Sequence, residues 1–143
     1  MEVVGVPLGE YVNGQIYYGV KTGFNKAFVI NGAKRAELIA QDPKSAEIIK
    51  PLVVGKNIRA WQINHQDTWL ILTKRDINID AYPAIKTHLA KWQAELMPKK
   101  TGKESQGRSR GNYKWYELQA SPGDTERFEK VKIMYPDIAK EPR

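Results

Sequence analysis

The sequence lacks cysteine altogether: none of its 143 residues is one, so the chain forms no disulfide bond and offers no thiolate to a metal ion. It also lacks any apolar run near the ~20 residues that a helix needs to cross a bilayer. The first residues, MEVV, do not show the basic and then apolar pattern of a signal peptide. These absences lead us to expect a cytoplasmic protein with no membrane partner.

Catalytic signatures are equally scarce. The chain has only two histidines, His65 and His88, and neither stands at a spacing to other ligands that suits a metal ion. We expect both imidazoles to be solvated. No nucleophile elbow, phosphate-binding loop or dinucleotide-binding glycine motif is present. Asp42-Pro43-Lys44 has an acid-x-Lys spacing, but a helix cap explains it better. The sequence therefore predicts no catalytic residue, no metal site and no cofactor in this chain.

Positive charge is what the chain has in excess: 23 lysines and arginines against 16 aspartates and glutamates, a net charge of +7. Its 41% hydrophobic and 27% charged residues describe a folded domain rather than a disordered tail. Such a surplus favours a polyanionic partner, because counterions released from a phosphate backbone drive basic proteins onto nucleic acid. The alternative is a protein that is basic without having such a partner.

The order of elements predicts the α+β class: a mixed or mainly antiparallel sheet, two or three helices packed on it, and a single domain over residues 1–143. Strands are expected where β-rich runs end in turn residues, and helices where apolar residues recur at three- and four-residue steps. The expected strands are 16–18 paired with 27–30 in a hairpin, then 58–63, 69–73, 113–118 and 131–135. The expected helices are 33–40, a short one at 44–49 capped by Asp42, and about 83–96 with the apolar stripe Ile85, Leu89, Trp92 and Leu96.

The tip of the expected hairpin carries four polar side chains, Lys21, Thr22, Asn25 and Lys26. Ammonium groups suit phosphate oxygens or guanine acceptors, and a carboxamide can form two hydrogen bonds with an adenine edge. We interpret these residues as candidate DNA contacts. The alternative is an ordinary turn with Asn and Gly in left-handed conformations and solvated lysines.

A second group of candidate DNA-binding residues, Lys56 and Arg59, lies on the expected strand 58–63 and just before it. Alternation would place Asn57, Arg59 and Trp61 on one face, which could meet DNA. Alternatively, Trp61 belongs to the core and Arg59 is only its neighbour at the edge.

The third group lies in and beside residues 99–112, KKTGKESQGRSRGN, a stretch without any apolar residue. We expect a flexible basic loop that clamps a phosphate backbone, with a plain solvated loop as the alternative. Its candidate DNA-binding residues are Lys99, Lys100, Lys103, Arg108, Arg110 and Lys114. The neighbouring aromatics Tyr113, Trp115 and Tyr116 either stack on unpaired bases or pack in the core.

Six segments occur in an order that resembles a known family: PLGEYVNGQIYYGVKTGFNKAFVI, SAEIIKPLVVGKNIRAW, WLILT, YPAIKTHLAKWQAEL, WYELQ and FEKVKIMYPDI. Over about residues 7–138 the chain resembles the TaqI-like C-terminal specificity domain of adenine-specific DNA methyltransferases, including fused type IIG restriction-modification enzymes. The chain departs from that family where residues 97–100, MPKK, open a basic insert after the long helix.

The resemblance implies a target-recognition domain that reads double-stranded DNA and is not an enzyme by itself. Its parent would be a longer chain, in which a separate catalytic methyltransferase domain binds S-adenosylmethionine and methylates N6 of adenine. That catalytic domain would be the partner of this one. This chain contains no Asn-Pro-Pro-Tyr motif, so no such activity is expected of it. Two other classes remain open: a protein-interaction module that docks onto an acidic partner, and a single-stranded DNA or RNA binder.

Overall fold

Three short strands form the central sheet of the computed structural model, which describes residues 5–59, 61–64, 66–121 and 128–135. In this sheet β1 (Val29–Ile30) and β2 (Ile49–Pro51) flank β5 (Trp69–Ile71), and both pairings are antiparallel. The register places Leu70 opposite Val29 on one side and opposite Lys50 on the other. Strands β3 (Ile58–Arg59) and β4 (Gln62–Ile63) form a separate antiparallel hairpin in the connection between β2 and β5.

Helices account for most of the remaining regular structure. The described ranges contain α1 (Leu8–Tyr11), α2 (Asn25–Phe28), α3 (Gly32–Gln41), α4 (Pro83–Ala90) and α5 (Gln93–Leu96), with 3₁₀ turns at Pro43–Glu47, Gly55–Asn57 and Ile79–Ala81. Short antiparallel sheets combined with packed helices confirm the predicted α+β class. No helix in these ranges is both long enough and apolar enough to cross a membrane.

One hydrophobic cluster joins the three-stranded sheet to α3, α4 and α5, as expected of a single domain. Its largest fully buried side chains are those of Phe28, Leu38, Ile71, Ile85, Leu89 and Leu96. Full burial of such a side chain stabilises the fold by roughly 1.5–3 kcal/mol. Three of these residues belong to the predicted stripe of residues 83–96, which therefore faces the core as expected.

Two helix starts follow directly from capping residues. The Asn31 side chain accepts a hydrogen bond from the Lys34 backbone N–H at 2.9 Å, which fixes the start of α3. The Asp42 side chain accepts from the Lys44 backbone N–H at 3.2 Å, and Pro43 occupies the first turn behind it. The predictions of a helix at 33–40 and of an Asp42 cap are confirmed. The element after Asp42 is a 3₁₀ helix that ends at Glu47, because Ile49 already belongs to β2.

The long helix predicted at 83–96 is divided into α4 and α5 by a turn at residues 91–92. Trp92 has φ −115° and ψ 17°, outside helical geometry, and begins α5 as its N-cap. Its half-buried indole packs against the ring of Phe24, with 5.7 Å between the ring centroids. Because the helix is interrupted at Trp92, the indole can contact Phe24 in the segment that precedes α2.

Several predicted strands are wrong. Residues 16–18 form no strand, and α2 includes Ala27 and Phe28, so the hairpin over residues 15–31 does not exist; only Val29–Ile30 is a strand. Residues 58–63 reverse direction at Trp61, whose φ is +62°, and form the β3–β4 hairpin instead of one strand. Residues 113–118 form turns, and residues 131–135 have no regular structure. The strand predicted at 69–73 is confirmed by β5.

Residues 99–112 contain neither helix nor strand, and Pro98 and Arg108 form an isolated bridge. The Lys99 backbone N–H donates to the Arg108 carbonyl at 3.0 Å, and the Arg108 N–H donates to the Met97 carbonyl at 2.9 Å. These two bonds join the beginning of the stretch to Arg108, so residues 100–107 form a closed loop. Its expected flexibility stays a prediction.

Candidate nucleic-acid interface

Residues 20–26, called here the 20–26 segment, line an open depression with a volume of about 530 Å³. Lys21, Asn25 and Lys26 are exposed on it, whereas Thr22 is 7% exposed and points inward. The segment therefore presents two ammonium groups and one carboxamide to solvent, from a short stretch of chain.

Thr22 holds the turn of the 20–26 segment together. Its hydroxyl donates to Asn25 Oδ1 at 2.5 Å and accepts from the Phe24 backbone N–H at 3.2 Å. The proposed role of Thr22 as a DNA contact is therefore corrected, because its only polar side-chain group is buried and used within the turn. Asn25 keeps both Nδ2 donors and one lone pair of Oδ1, which are enough for two hydrogen bonds with a base edge. The bond from Thr22 limits the orientations in which the carboxamide can make them.

Two further contacts fix the backbone of the segment. Lys21 and Ala120 exchange backbone hydrogen bonds of 2.8 and 2.9 Å. Gly23 has φ +73°, and a Cβ at this position would lie 2.4 Å from Oε1 of Gln119 and 2.9 Å from Cδ of Arg108. A glycine is required there both by the left-handed backbone and by the close approach of residues 108 and 119.

Arg108 is the residue on which these contacts converge. Its side chain donates five hydrogen bonds to backbone carbonyls, from Nε to Leu96 (2.8 Å), from Nη1 to Thr22 (2.9 Å) and Glu117 (2.8 Å), and from Nη2 to Lys114 (3.2 Å) and Trp115 (2.9 Å). Every N–H of a guanidinium is thereby used. The guanidinium also lies 4.5 Å from the centroid of the Tyr113 ring.

These bonds change the role of Arg108. It is 3% exposed, so it cannot reach a phosphate, and the prediction that it contacts DNA is corrected. Burial lowers the pKa of the Arg108 guanidinium, but arginine remains charged throughout the range in which proteins fold. Arg108 instead ties the 20–26 segment to the end of α5 and to the turn at residues 114–117.

Glu117 supports the same turn from the other side. Its carboxylate accepts from the backbone N–H groups of Lys114 (2.9 Å) and Asp76 (2.9 Å) and from Nη1 of Arg75 (3.2 Å). Burial alone would raise the pKa of Glu117, which is 1% exposed, but the hydrogen bonds from these donors outweigh it and lower the pKa. The carboxylate is therefore an ordered anion under the basic surface.

The aromatic residues of this region are mostly structural. Tyr113 is buried beneath the Arg108 guanidinium, which is the core-packing alternative. Trp115 and Tyr116 are half-buried and contact each other edge to face, with 5.4 Å between ring centroids. Lys114 is exposed, and its contact with Tyr116 raises the pKa of its ammonium group.

The remaining cations of the basic stretch lie at its surface. Lys100, Lys103 and Arg110 are exposed, and Lys99 is partly buried. Glu104, the acid within the stretch, accepts from the backbone N–H groups of Lys100 and Thr101 at 3.2–3.3 Å. Its charge therefore helps to shape the loop backbone.

The candidate cations form no ion pair within the described ranges, and neither do several other exposed cations, such as Lys44, Lys74 and Lys91. The four ion pairs found within the described ranges use Lys34, Lys50, Arg75 and Lys86. None of these four is a candidate DNA-binding residue. Within the part of the chain that the structure describes, the exposed candidates are thus not neutralised by a carboxylate, and their charge is available to a polyanion. These exposed candidates are Lys21, Lys26, Lys56, Arg59, Lys100, Lys103, Arg110 and Lys114.

The β3–β4 hairpin presents Lys56 and Arg59 differently from the predicted strand. Both side chains are exposed, and Nη1 of Arg59 donates to the carbonyls of Lys56 (2.8 Å) and Ile58 (3.0 Å). Asn57 is buried, so the predicted face of Asn57, Arg59 and Trp61 does not form. Trp61 is fully exposed at the tip, so of the two alternatives left open for it the core position is excluded.

The topology brings some candidates together and separates others. The 20–26 segment bonds to Ala120, and Leu118 bonds to the carbonyl of Thr73, just beyond the end of β5. The Leu52 backbone N–H, just after β2, donates to the carbonyl of Thr68, just before β5. The β3–β4 hairpin, which lies between these two residues in the chain, therefore extends from the beginning of β5. Residues 69–73 of an extended strand span roughly 13 Å. The 20–26 segment and the β3–β4 hairpin, each with its candidates, are thus connected to opposite ends of β5.

One of the two histidines, His88, lies in the described part of the molecule and is buried there. His88 is 8% exposed, and its Nε2 lies 3.0 Å from the carbonyl oxygen of Ala27, so the prediction of a solvated imidazole is wrong. Burial lowers the pKa of His88, which favours the neutral ring. His65 lies outside the described residues. A group of three or more potential metal ligands does not occur in the ranges given above.

Comparison with models of known protein families finds no match, and comparison with curated proteins finds no significant match.

Proposed function

We propose that this chain is a non-catalytic, sequence-specific double-stranded DNA recognition module. Its parent would be an adenine-N6 methyltransferase or restriction-modification protein, in which a separate catalytic domain holds S-adenosylmethionine and faces the same DNA. The observation that supports the proposal most is the set of exposed cations that form no ion pair within the described residues, two of them on the 20–26 segment that Arg108 holds. The family resemblance in the sequence supplies the enzyme class, and a cytoplasmic location belongs to the same proposal.

The fixed backbone of the 20–26 segment favours DNA reading over loose charge attraction. Side chains that contact bases must be held in place, because a bidentate contact has little tolerance in position. Thr22, Gly23 and Arg108 provide that support from beneath, while Lys21, Asn25 and Lys26 remain outside. We assign phosphate contacts to the lysines and a base contact to Asn25.

The basic stretch and the hairpin would add phosphate contacts from either side. Arg108 joins the basic stretch to the 20–26 segment and to the turn that carries Lys114, whereas Lys56 and Arg59 lie on the β3–β4 hairpin. The major groove of a duplex is bordered on both sides by phosphates, which two separate groups of cations can contact. We therefore propose that the two groups contact a duplex on either side of one groove.

A duplex is favoured over a single strand because the aromatics near the basic stretch are not free platforms. Tyr113 is buried, and Trp115 and Tyr116 are half-buried against each other. Single-strand binders use exposed aromatic rings on which successive bases stack. An acidic protein partner would bind the same cations as DNA, so an experiment must distinguish the two partners.

The test is fluorescence anisotropy of this chain with a 20-base-pair duplex, its single strand and an RNA of the same sequence, at two salt concentrations. We expect the duplex to bind most tightly, with Kd in the range of about 10⁻⁴–10⁻⁶ M for an arbitrary sequence. Polyglutamate of matched charge serves as the competitor that imitates an acidic protein. Equal or tighter binding of the single strand, or displacement of the duplex by equimolar polyglutamate, would contradict the proposal.

A further inference from the structure

Trp61 is the most exposed aromatic side chain in the described part of the molecule. Its relative exposure is 105%, above that of Tyr18 at 84% and Tyr11 at 74%. An indole in this position gains nothing from burial, although tryptophan is among the side chains that gain most from leaving water. Its position on the surface therefore contributes no packing to the fold.

The backbone at Trp61 is also unfavourable for such a residue. Arg59 pairs with Gln62, so Trp61 lies in the connection between β3 and β4. Trp61 has φ +62°, a left-handed conformation that Asn or Gly adopts readily and a bulky residue rarely does. A stable hairpin would be served better by Asn or Gly. Strained residues of this kind concentrate at binding sites, where the side chain has a use.

The sequence around Trp61 is positive and contains no acid. Residues 48–66 contain no aspartate or glutamate, and Lys56 and Arg59 are exposed on the same hairpin. Indole rings stack on nucleobases of any sequence, and neighbouring cations bind the phosphates that flank the stacked base. A protein partner would also accept an exposed indole, but this hairpin suits one only if that partner is itself strongly acidic.

We propose that the β3–β4 hairpin is a base-stacking site, in which the Trp61 ring stacks on a nucleobase displaced from the duplex while Lys56 and Arg59 contact the adjoining phosphates. This inference rests on the proposed function and adds to it a second kind of contact. It gives the hairpin a preference for duplexes in which one base is already outside the stack.

The test compares a perfect duplex with a duplex that carries one extrahelical base, by fluorescence anisotropy at low salt and up to about 100 μM protein. Base–aromatic stacking predicts that the wild type binds the second duplex at least about fivefold more tightly. Trp61→Ala should abolish this preference, and Trp61→Phe should retain part of it. Tyr11→Ala removes another exposed aromatic residue and should leave the preference unchanged.

Fluorescence gives an independent reading of the same contact. Trp69, Trp92 and Trp115 are partly buried, so the difference between wild type and Trp61→Phe reports mainly the exposed indole. Acrylamide should quench that component efficiently in the free protein and at least twofold less with the extrahelical-base duplex. Thermal unfolding of Trp61→Ala at an unchanged or higher midpoint excludes a folding defect.

The outcomes separate the two proposals. No binding of either duplex up to about 100 μM overturns the proposed function, and this inference with it. Binding of both duplexes with equal affinity, or a preference that survives in Trp61→Ala, overturns the stacking site alone. Shielding of Trp61 by polyglutamate but by neither duplex would instead assign the hairpin to an acidic protein partner and also overturn the stacking site.

Discussion

The 20–26 segment and the β3–β4 hairpin carry similar side chains, yet the molecule holds them in opposite ways. The segment is fixed from beneath by Arg108 and by Ala120, which lie far along the chain. The hairpin is closed by its own strand pairing and by local hydrogen bonds, and its aromatic tip is fully exposed. The comparison shows that exposed cations alone do not describe a binding surface. The contacts of the backbone beneath the cations determine whether their positions are fixed by distant residues, as in the 20–26 segment, or only by local hydrogen bonds, as in the hairpin.

The largest effect should come from Arg108, since the support of the 20–26 segment depends on it. Arg108→Met removes five donated hydrogen bonds; the Lys114 carbonyl keeps the Glu117 N–H, and each buried polar group that loses its partner costs about 1–3 kcal/mol. We expect the free energy of unfolding to fall by about 4 kcal/mol or more, measured by urea denaturation. Arg110→Met, two residues along and exposed, should change it by less than about 0.5 kcal/mol. Equal effects would contradict the buried role of Arg108.

Glu117 should have the next largest effect and should make stability depend on pH. Glu117→Gln replaces the acceptor of three hydrogen bonds, and we expect a loss of about 3 kcal/mol at neutral pH. The folded state lowers the pKa of Glu117 below its ordinary value of 4.5, so its contribution is present above that pH and is lost as the pH falls through the lowered pKa.

The pH dependence of Glu117 is checked by repeating denaturation between about pH 6 and pH 3. The free energy of unfolding of the wild type should decrease as the pH falls through this range, and that of Glu117→Gln should decrease less. Glu37→Gln is the matched control because Glu37 also has a lowered pKa but is exposed on α3. A wild type and a Glu117→Gln protein with parallel pH profiles would be the contrary result.

Gly23 should have the smallest of the three effects on stability. Gly23→Ala forces a Cβ into a left-handed backbone and towards Gln119, which should cost about 1–2 kcal/mol. Gly19→Ala is the control, since its Cβ would meet no atom within 4 Å and its φ is not positive. The measurement is the shift of the thermal midpoint of each variant. A larger shift for Gly19→Ala than for Gly23→Ala would show that the segment is not held as described.

The parts of the fold that depend on local chemistry were predictable. Asn31, Asp42 and Pro43 mark helix starts through their own side chains, and the stripe from Ile85 to Leu96 identifies a buried face. Trp69 to Ile71 was recognisable as a strand from its β-rich composition. Each of these signals acts within a few residues, so no knowledge of the rest of the chain is needed.

The parts that depend on distant contacts were not predictable. Arg108 and Arg110 stand in the same GRSRG string, and nothing local shows which turns inward. That depends on the carbonyl of Thr22, 86 residues away, and on those of the turn at 114–117. Likewise, the run Ile16-Tyr17-Tyr18 has strand composition but finds no partner strand. The reversal of the chain at Trp61 was missed because alternation assumed one continuous strand, and the choice between an exposed and a core indole therefore stayed open.

The measurement closest to the central claim is the salt dependence of duplex binding for two matched double variants. Lys21→Ala/Lys26→Ala removes two unpaired cations of the 20–26 segment, whereas Lys34→Ala/Lys86→Ala removes two that already pair with Glu37 and Asp80. The net charge changes equally in both. If the unpaired cations contact phosphate, the first variant should reduce the slope of log K against log salt by about 1.8, and the second should leave it nearly unchanged. Equal slopes in the two variants, or binding of the wild type that does not respond to salt, would contradict the account.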